Sequence, residues 1–119
     1  MTFDIKTNIM MIKPLTWLAD SKEQLRGFPH EARGVAGFEL WEVQQGKEPT
    51  DWKPMPSVGL GVKEIRVRTG GAFRILYVAK FAEAVYVLHA FQKKAQKTPK
   101  PDIDLARARF RELIRERKQ

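Results

Sequence analysis

One stretch of the chain decides the fold: Lys63-Glu64-Ile65-Arg66-Val67-Arg68-Thr69-Gly70-Gly71-Ala72-Phe73-Arg74-Ile75-Leu76-Tyr77-Val78. β-Branched and aromatic residues lie at close spacing on both sides of a Gly-Gly pair, which predicts a β-hairpin. Before the turn, Ile65 and Val67 point to one face. The charged residues between and beside them point to the other face: Glu64, Arg66, Arg68. Charge is also common on solvated edge strands, so the stretch alone leaves that simpler interpretation open.

The register of this hairpin decides whether its arginines share a face. A two-residue Gly70-Gly71 turn would pair Arg68 with Phe73 and separate the arginines. A three-residue loop or a bulge would pair Arg68 with Arg74 and bring Arg66 to the same side. Two glycines followed by alanine suit a bulged turn, and we therefore predict the shared face.

The other periodicities predict an α+β domain with the element order β, α, α, β, β, β, α. The predicted strands cover residues 12–17, 63–69, 73–79 and 84–91, and the helices cover about 20–25, 29–45 and a C-terminal segment from about 102. Prolines and glycines exclude regular structure from residues 47–62, and residues 1–11 are predicted to be a loose leader. The helices are expected to cover one face of the sheet. Gly34 and Gly37 are expected to let the second helix approach the sheet closely.

Composition limits the function classes. With 119 residues, 43% of them hydrophobic, the chain is expected to form a single folded domain over residues 1–119. The absence of cysteine excludes disulfides and thiolate chemistry and suits a cytoplasmic location. No signal peptide and no apolar window of about 20 residues is visible, so we expect a soluble protein with no membrane span. The net charge of +8 predicts a polyanionic partner: nucleic acid first, then an acidic protein, then an anionic membrane surface.

Standard catalytic patterns are absent from the sequence. It has no glycine-rich phosphate loop, no nucleophile elbow and no metal-binding histidine pair, so neither a metal nor a cofactor is expected. Cations instead occur at the ends of three adjacent predicted strands: Arg66, Arg68, Arg74, Lys93, Lys94. Guanidinium groups that converge without matching carboxylates repel one another, and a phosphodiester would relieve that repulsion through bidentate hydrogen bonds.

RNA adds a reaction to this contact, because its 2′-OH is an internal nucleophile. The protein must then deprotonate that hydroxyl, stabilise the charge on phosphorus and protonate the leaving 5′ oxygen. Arginines suit the second task, and Glu64, His89 or a lysine of lowered pKa suits the others. Glu64 is equally explained as a salt-bridge partner of Arg66 or Arg68, and His89 as a packed histidine. Lys53 is open to interpretation as a surface lysine or a phosphate contact.

Several segments together resemble a known family: Trp52-Lys53-Pro54-Met55, Gly59-Leu60-Gly61-Val62, Glu64-Ile65-Arg66, Arg74-Ile75-Leu76-Tyr77-Val78 and Val87-Leu88-His89-Ala90-Phe91-Gln92-Lys93-Lys94-Ala95-Gln96-Lys97-Thr98-Pro99. From about residue 12 to 115 the chain resembles the phage-derived Gp49-like family, part of the RelE/ParE toxin superfamily that includes HigB-type toxins. The resemblance implies a RelE-like, compact microbial RNase-type fold, with two N-terminal helices on a curved antiparallel sheet plus a C-terminal helix. It also implies cleavage of mRNA on the ribosome and neutralisation by a helix-turn-helix antitoxin.

The resemblance also assigns site residues. By position, Arg66, Arg74 and Lys93 match basic residues that such toxins use at the scissile phosphate, and with Glu64 and His89 they form the predicted catalytic set. The predicted RNA contacts are Lys53, Arg68, Lys94, Gln96 and Lys97. Many relatives carry a tyrosine or histidine near the C-terminus as acid or base, but the final helix here has neither.

Two functional hypotheses follow. The first is the toxin of a type II toxin–antitoxin pair, acting as a metal-independent, ribosome-dependent mRNA endoribonuclease. The second is a non-catalytic basic binding protein, either a gyrase-directed ParE-like toxin or an inactive phage-derived remnant. The sequence leaves the oligomeric state open.

Overall fold

The computed structural model describes residues 12–118 and shows a five-stranded mixed sheet between helices. The elements are β1 (Leu15–Trp17), α1 (Ser21–Arg26), α2 (His30–Gln44), β2 (Trp52–Pro54), β3 (Val62–Arg68), β4 (Ala72–Val78), β5 (Val85–Gln92) and α3 (Lys100–Arg117). The strand order is β1-β5-β4-β3-β2, with β1 parallel to β5 and the other neighbours antiparallel. Within these residues no helix has the length and apolarity to cross a membrane. The predicted leader, residues 1–11, lies outside the described residues.

Two apolar cores lie on opposite faces of the sheet. Because side chains alternate along a strand, β3 to β5 supply both cores. The first core packs under α1 and α2 and includes Ile65, Val67, Phe73, Ile75, Tyr77 and Val87. The second packs under α3 and includes Val62, Leu76, Val78, Leu88 and Phe91. The apolar character of β5 on both faces predicted that both would be covered, and this is confirmed.

Three predictions about the architecture are wrong. The helices do not cover one face only, because β4 and β5 carry apolar side chains on the second face and α3 covers them through Ala106, Phe110 and Leu113. The sheet is mixed, since β1 pairs with β5 in parallel, a long-range contact that local periodicity does not encode. Residues 47–62 contain β2, whose Pro54 is tolerated because it ends a strand at the sheet edge.

The glycines of α2 do not bring it close to the sheet. Gly34 and Gly37 are exposed, and a β-carbon added at either would meet no atom within 4 Å. The expected close approach is therefore wrong for these two positions. It occurs instead at Gly59, where a β-carbon would lie 2.3 Å from Cδ2 and Cε2 of Phe110 in α3. The loop that leads into β3 thus passes directly over an aromatic ring of the second core.

Alanine substitutions at Gly59 and Gly37 should change stability in opposite directions. Gly59→Ala should lower the free energy of unfolding by about 1–3 kcal/mol, because its methyl group overlaps the buried Phe110 ring. Gly37→Ala should raise it by about 0.5–1 kcal/mol, because the site is open and alanine favours the helix. Urea unfolding of both variants measures the two changes. A neutral Gly59→Ala would contradict the packing of the loop on α3.

Candidate functional site

The β3–β4 hairpin sets the geometry of the site. Its turn is Thr69-Gly70-Gly71, so Arg68 pairs with Ala72 and Arg66 pairs with Arg74. The predicted pairing of Arg68 with Arg74 is therefore wrong by two positions. A shift of two residues preserves the face of every side chain, and the predicted shared face of the arginines is confirmed. Both glycines have positive φ, 66° and 140°, a conformation that side chains with a β-carbon rarely adopt.

Basic residues from neighbouring strands gather on the face that also carries α3. Lys53 of β2 lies beside Glu64 of β3, and Arg66 lies beside Arg74 of β4. The main-chain nitrogen of Lys93 donates to the oxygen of Ala72 at 2.7 Å, which extends the β4–β5 pairing beyond β5. We call this group of five the cationic cluster: Lys53, Arg66, Arg68, Arg74, Lys93.

Arg74 and Glu64 form the buried base of the cationic cluster. Arg74 is 4% exposed and Glu64 is 1% exposed. The Nε of Arg74 lies 3.6 Å from Oε1 of Glu64, and Nζ of Lys53 lies 4.0 Å from the same oxygen. Nη1 of Arg74 donates to the main-chain oxygen of Phe73 at 2.9 Å. Glu64 is thus a salt-bridge residue, but its partners are Arg74 and Lys53 rather than the expected Arg66 or Arg68.

The surroundings of Arg74 act on its pKa in opposite directions. Burial lowers the pKa of the guanidinium, the negative charge of Glu64 raises it, and Arg68 and Arg66 lower it again. The ordinary pKa of arginine is so high that the side chain stays charged at neutral pH. A fixed positive charge therefore sits at the floor of the cluster.

Asp51 supplies a second carboxylate at the rim of the cationic cluster. Its Oδ1 lies 3.9 Å from Nη1 of Arg66 and its Oδ2 lies 3.5 Å from Nε of Arg68. The expectation that no carboxylate matches the arginines is therefore wrong, although five cations still outnumber Asp51 and Glu64. The sequence pattern does not reveal Asp51, because the prolines and glycines of residues 47–62 predict irregular structure there. Recognition of β2 would have placed Asp51 and Lys53, two residues apart, on one side.

The connection of residues 93–99 carries the other predicted contacts. Lys93 is half-buried, and its Nζ donates to the main-chain oxygen of Gln96. Burial lowers the pKa of Lys93, the charge of Arg74 lowers it further, and Glu64 raises it. Lys94, Gln96 and Lys97 are exposed. Thr98 donates its hydroxyl hydrogen to Oε2 of Glu64 at 2.7 Å. No role for Thr98 is predicted from the sequence, because no local sequence pattern indicates this contact.

His89 has partners other than the members of the cationic cluster. Its Nε2 lies 2.7 Å from Oδ1 of Asp102 in α3, and its ring stacks on Phe91 with centroids 4.9 Å apart. His89 pairs with Leu76, which in turn pairs with Glu64, so an apolar side chain separates the histidine from the glutamate. These contacts are those of a packed histidine that joins β5 to α3.

The arrangement suits the binding of a phosphate group. Arg74 offers a fixed charge at the base, while Arg66, with its side chain 26% exposed, and Arg68, at 62%, offer guanidinium groups to solvent. Such groups bind phosphate oxygens in pairs and stabilise negative charge that develops on phosphorus. Among residues 12–118 no group of three or more His, Cys, Asp or Glu side chains could hold a metal ion.

A comparison with protein families gives a match over most of the chain. The family model described as "Phage derived protein Gp49-like (DUF891)" matches residues 23–111. This range includes β2 to β5 and every member of the cationic cluster. A search of curated proteins finds no match.

The pKa of Lys93 provides a test of the cluster. It should lie below the ordinary lysine value, and Arg66→Gln should raise it, because the loss of a neighbouring positive charge favours the charged lysine. Lys80→Gln is the control, since Lys80 contacts Phe81 and Phe110 on another part of the surface. NMR titration of the lysine side-chain resonances measures all three proteins. An unchanged pKa in Arg66→Gln would place Arg66 outside the cluster.

Proposed function

Because the chain belongs to the Gp49-like family of phage-derived proteins, we propose that it is the toxin of a type II toxin–antitoxin pair. In this proposal it is a HigB-type mRNA endoribonuclease with a RelE-like fold, acting on the ribosome. The observation that carries the proposal is the cationic cluster, in which Arg66 lies opposite Arg74 above a buried glutamate. A helix-turn-helix antitoxin is the proposed partner, and the cytoplasm is the proposed site of action.

The proposed reaction is an internal transesterification. The 2′ oxygen attacks phosphorus, the bond to the 5′ oxygen breaks, and the products are a 2′,3′-cyclic phosphate and a 5′-hydroxyl. The 2′-OH gives its proton to hydroxide of the solvent, and the 5′ oxygen takes a proton from Lys93, which water then reprotonates. No oxidant, reductant or metal is required. Arg66 and Arg74 stabilise the extra negative charge on phosphorus. The burial of Arg74 keeps its charge fixed in place, which avoids reorganisation during the reaction.

Lys93 is the proposed general acid. A lowered pKa makes its ammonium group a better proton donor than that of an ordinary lysine. The RNA backbone on both sides of the scissile phosphate is proposed to be held by five further residues: the exposed Lys94, Gln96 and Lys97, together with Lys53 and Arg68. These contacts are electrostatic, and binding should therefore weaken as salt rises.

A second candidate function is supported by the placement of His89. The histidine already has Asp102 and Phe91 as partners, and α3 contains neither tyrosine nor histidine. A cationic face that lacks an obvious proton acceptor also suits a protein that binds without cleaving, such as a gyrase-directed toxin or an inactive remnant. Salt-sensitive RNA binding without product on programmed ribosomes would favour this alternative.

Arg66→Ala should reduce mRNA cleavage on programmed ribosomes by about 10²–10³-fold, because one donor to the developing phosphorane charge is lost. Its melting temperature should stay close to wild type, since the guanidinium of Arg66 is partly exposed and its ion pair is with the exposed Asp51 at 3.9 Å. Arg111→Ala is the matched control, because it removes an equal charge from an exposed position on α3 and should cleave normally.

The same variants should be expressed in cells without the antitoxin, with growth and transcript length as the measurements. Wild type and Arg111→Ala should arrest growth and shorten transcripts, and Arg66→Ala should do neither. Full toxicity of Arg66→Ala would show that the cationic cluster is not the site of mRNA cleavage. Growth arrest by the wild-type protein with intact transcripts would contradict the nuclease function and favour the second candidate, a protein that binds without cleaving.

A further inference from the structure

We propose that Thr98 and Glu64 are positioning residues that hold the connection of residues 93–99 across the cationic cluster. The Oγ1 of Thr98 and the Oε2 of Glu64 are 2.7 Å apart. Thr98 is 8% exposed and Glu64 is 1% exposed. The effect on cleavage rests on the proposed nuclease function, whereas the effect on the connection does not.

The two oxygens of Glu64 have different partners, and neither faces the solvent. Oε2 accepts from Thr98, and Oε1 lies near Arg74 and Lys53. A 2′-OH would have to displace these contacts to reach a side chain that is 1% exposed. Since a general base must come within hydrogen-bond reach of the proton it abstracts, Glu64 is assigned to positioning and not to proton transfer.

The connection is fixed at both of its ends. At the first end, the main-chain nitrogen of Lys93 donates to Ala72 at 2.7 Å. At the second end, Thr98 donates to Glu64, two residues before α3 begins at Lys100. The segment between these points carries Lys94 and Lys97. The two hydrogen bonds therefore hold both lysines next to the cluster.

Such pre-ordering lowers the entropy that RNA binding would otherwise have to overcome. It also fixes Lys93 relative to Arg74, whose charge lowers the pKa of the lysine. Loss of the Thr98 hydroxyl should therefore free the connection, weaken RNA binding and raise the pKa of Lys93 toward the ordinary value.

Trypsin reports on the connection directly, because it cuts after lysine and the segment contains Lys93, Lys94 and Lys97. Thr98→Val keeps the shape of the side chain and removes its hydrogen-bond donor, whereas Thr98→Ser keeps the donor. Thr50→Val is the matched control. It removes another Thr–Glu hydrogen bond of 2.7 Å, from Thr50 to Glu39 of α2, on a different part of the molecule.

In the folded full-length protein, Thr98→Val should be cut in this segment about tenfold faster than wild type. This is the order of change expected when a hydrogen bond to a charged group is lost. Thr98→Ser should restore wild-type resistance, and Thr50→Val should leave cutting of this segment unchanged. Thr98→Ala serves as a second hydroxyl-free variant, so that the comparison with Thr98→Ser stands if the valine protein folds poorly.

Cleavage of mRNA on programmed ribosomes gives the second readout. Thr98→Val should lose at least tenfold in activity, and Thr98→Ser should recover it. Glu64→Gln keeps an oxygen that can accept from Thr98 but removes the charge that faces Arg74, so it should be less stable than wild type. At a temperature where it is folded, it should keep the trypsin resistance of this segment and measurable cleavage. Loss of all cleavage in a trypsin-resistant Glu64→Gln protein would give Glu64 the proton-accepting role and overturn its assignment to positioning.

The two readouts separate this proposal from the proposed function. If Thr98→Val is cut by trypsin at the wild-type rate, or if Thr98→Ser fails to restore resistance, the positioning role is overturned whatever the activity. If the wild-type protein cleaves no RNA, the nuclease function fails. Faster tryptic cutting of Thr98→Val, reversed in Thr98→Ser, would still establish the tether.

Discussion

The contact between Glu64 and Arg74 is the constraint on which the site depends. At 3.6 Å the attraction of two unit charges is about 4–5 kcal/mol at an effective dielectric constant near 20. The removal of each ion from water costs several kcal/mol, so the pair adds little net stability. Its effect is geometric. Because neither charge can be buried alone, the pair fixes the face and register of β3 and β4, and it thereby sets Arg66 opposite Arg74.

The second carboxylate acts differently because it is exposed. The side chain of Asp51 is 43% exposed, and its pairs with Arg66 and Arg68 are worth at most about 1 kcal/mol in water. A phosphate group can displace such a partner at little cost, whereas it cannot displace Glu64 from Arg74. In the cluster, the carboxylate of Glu64 therefore stays paired with Arg74, whereas the carboxylate of Asp51 can be replaced by a phosphate group. In the free protein, Asp51 reduces the repulsion between Arg66 and Arg68. Because its ion pairs are weak, both arginines can still bind a ligand.

The parts of the site that sequence could predict are those with a local signal. The alternation in β3 and the odd number of residues in the glycine turn predict which side chains of the two strands share a face. A register error of two residues leaves this unchanged, so the shared face of Arg66 and Arg74 is predictable. The pairing itself was wrong by two residues, because the turn begins at Thr69. The apolar residues of β5 indicate that both faces are covered, but nothing local indicates that α3 is the element that covers the second face, that β1 pairs with β5 or that Thr98 reaches Glu64. Each of these depends on contacts between distant segments.

Among the side chains near the cluster that could act as the general acid, a lysine fits best. Of the two tyrosines, Tyr77 is buried on the opposite face, where burial raises its pKa, and Tyr86 donates to Glu83. Lys93 is a lysine of the cluster whose pKa is lowered, first by its burial and then by the charge of Arg74. In the proposed reaction the cations that attract RNA thus also prepare the acid. A bound phosphodiester brings negative charge beside Lys93, which favours its protonated form until the 5′ oxygen departs. Substrate binding and proton delivery then depend on the same charges, so a variant that removes one cation should alter both.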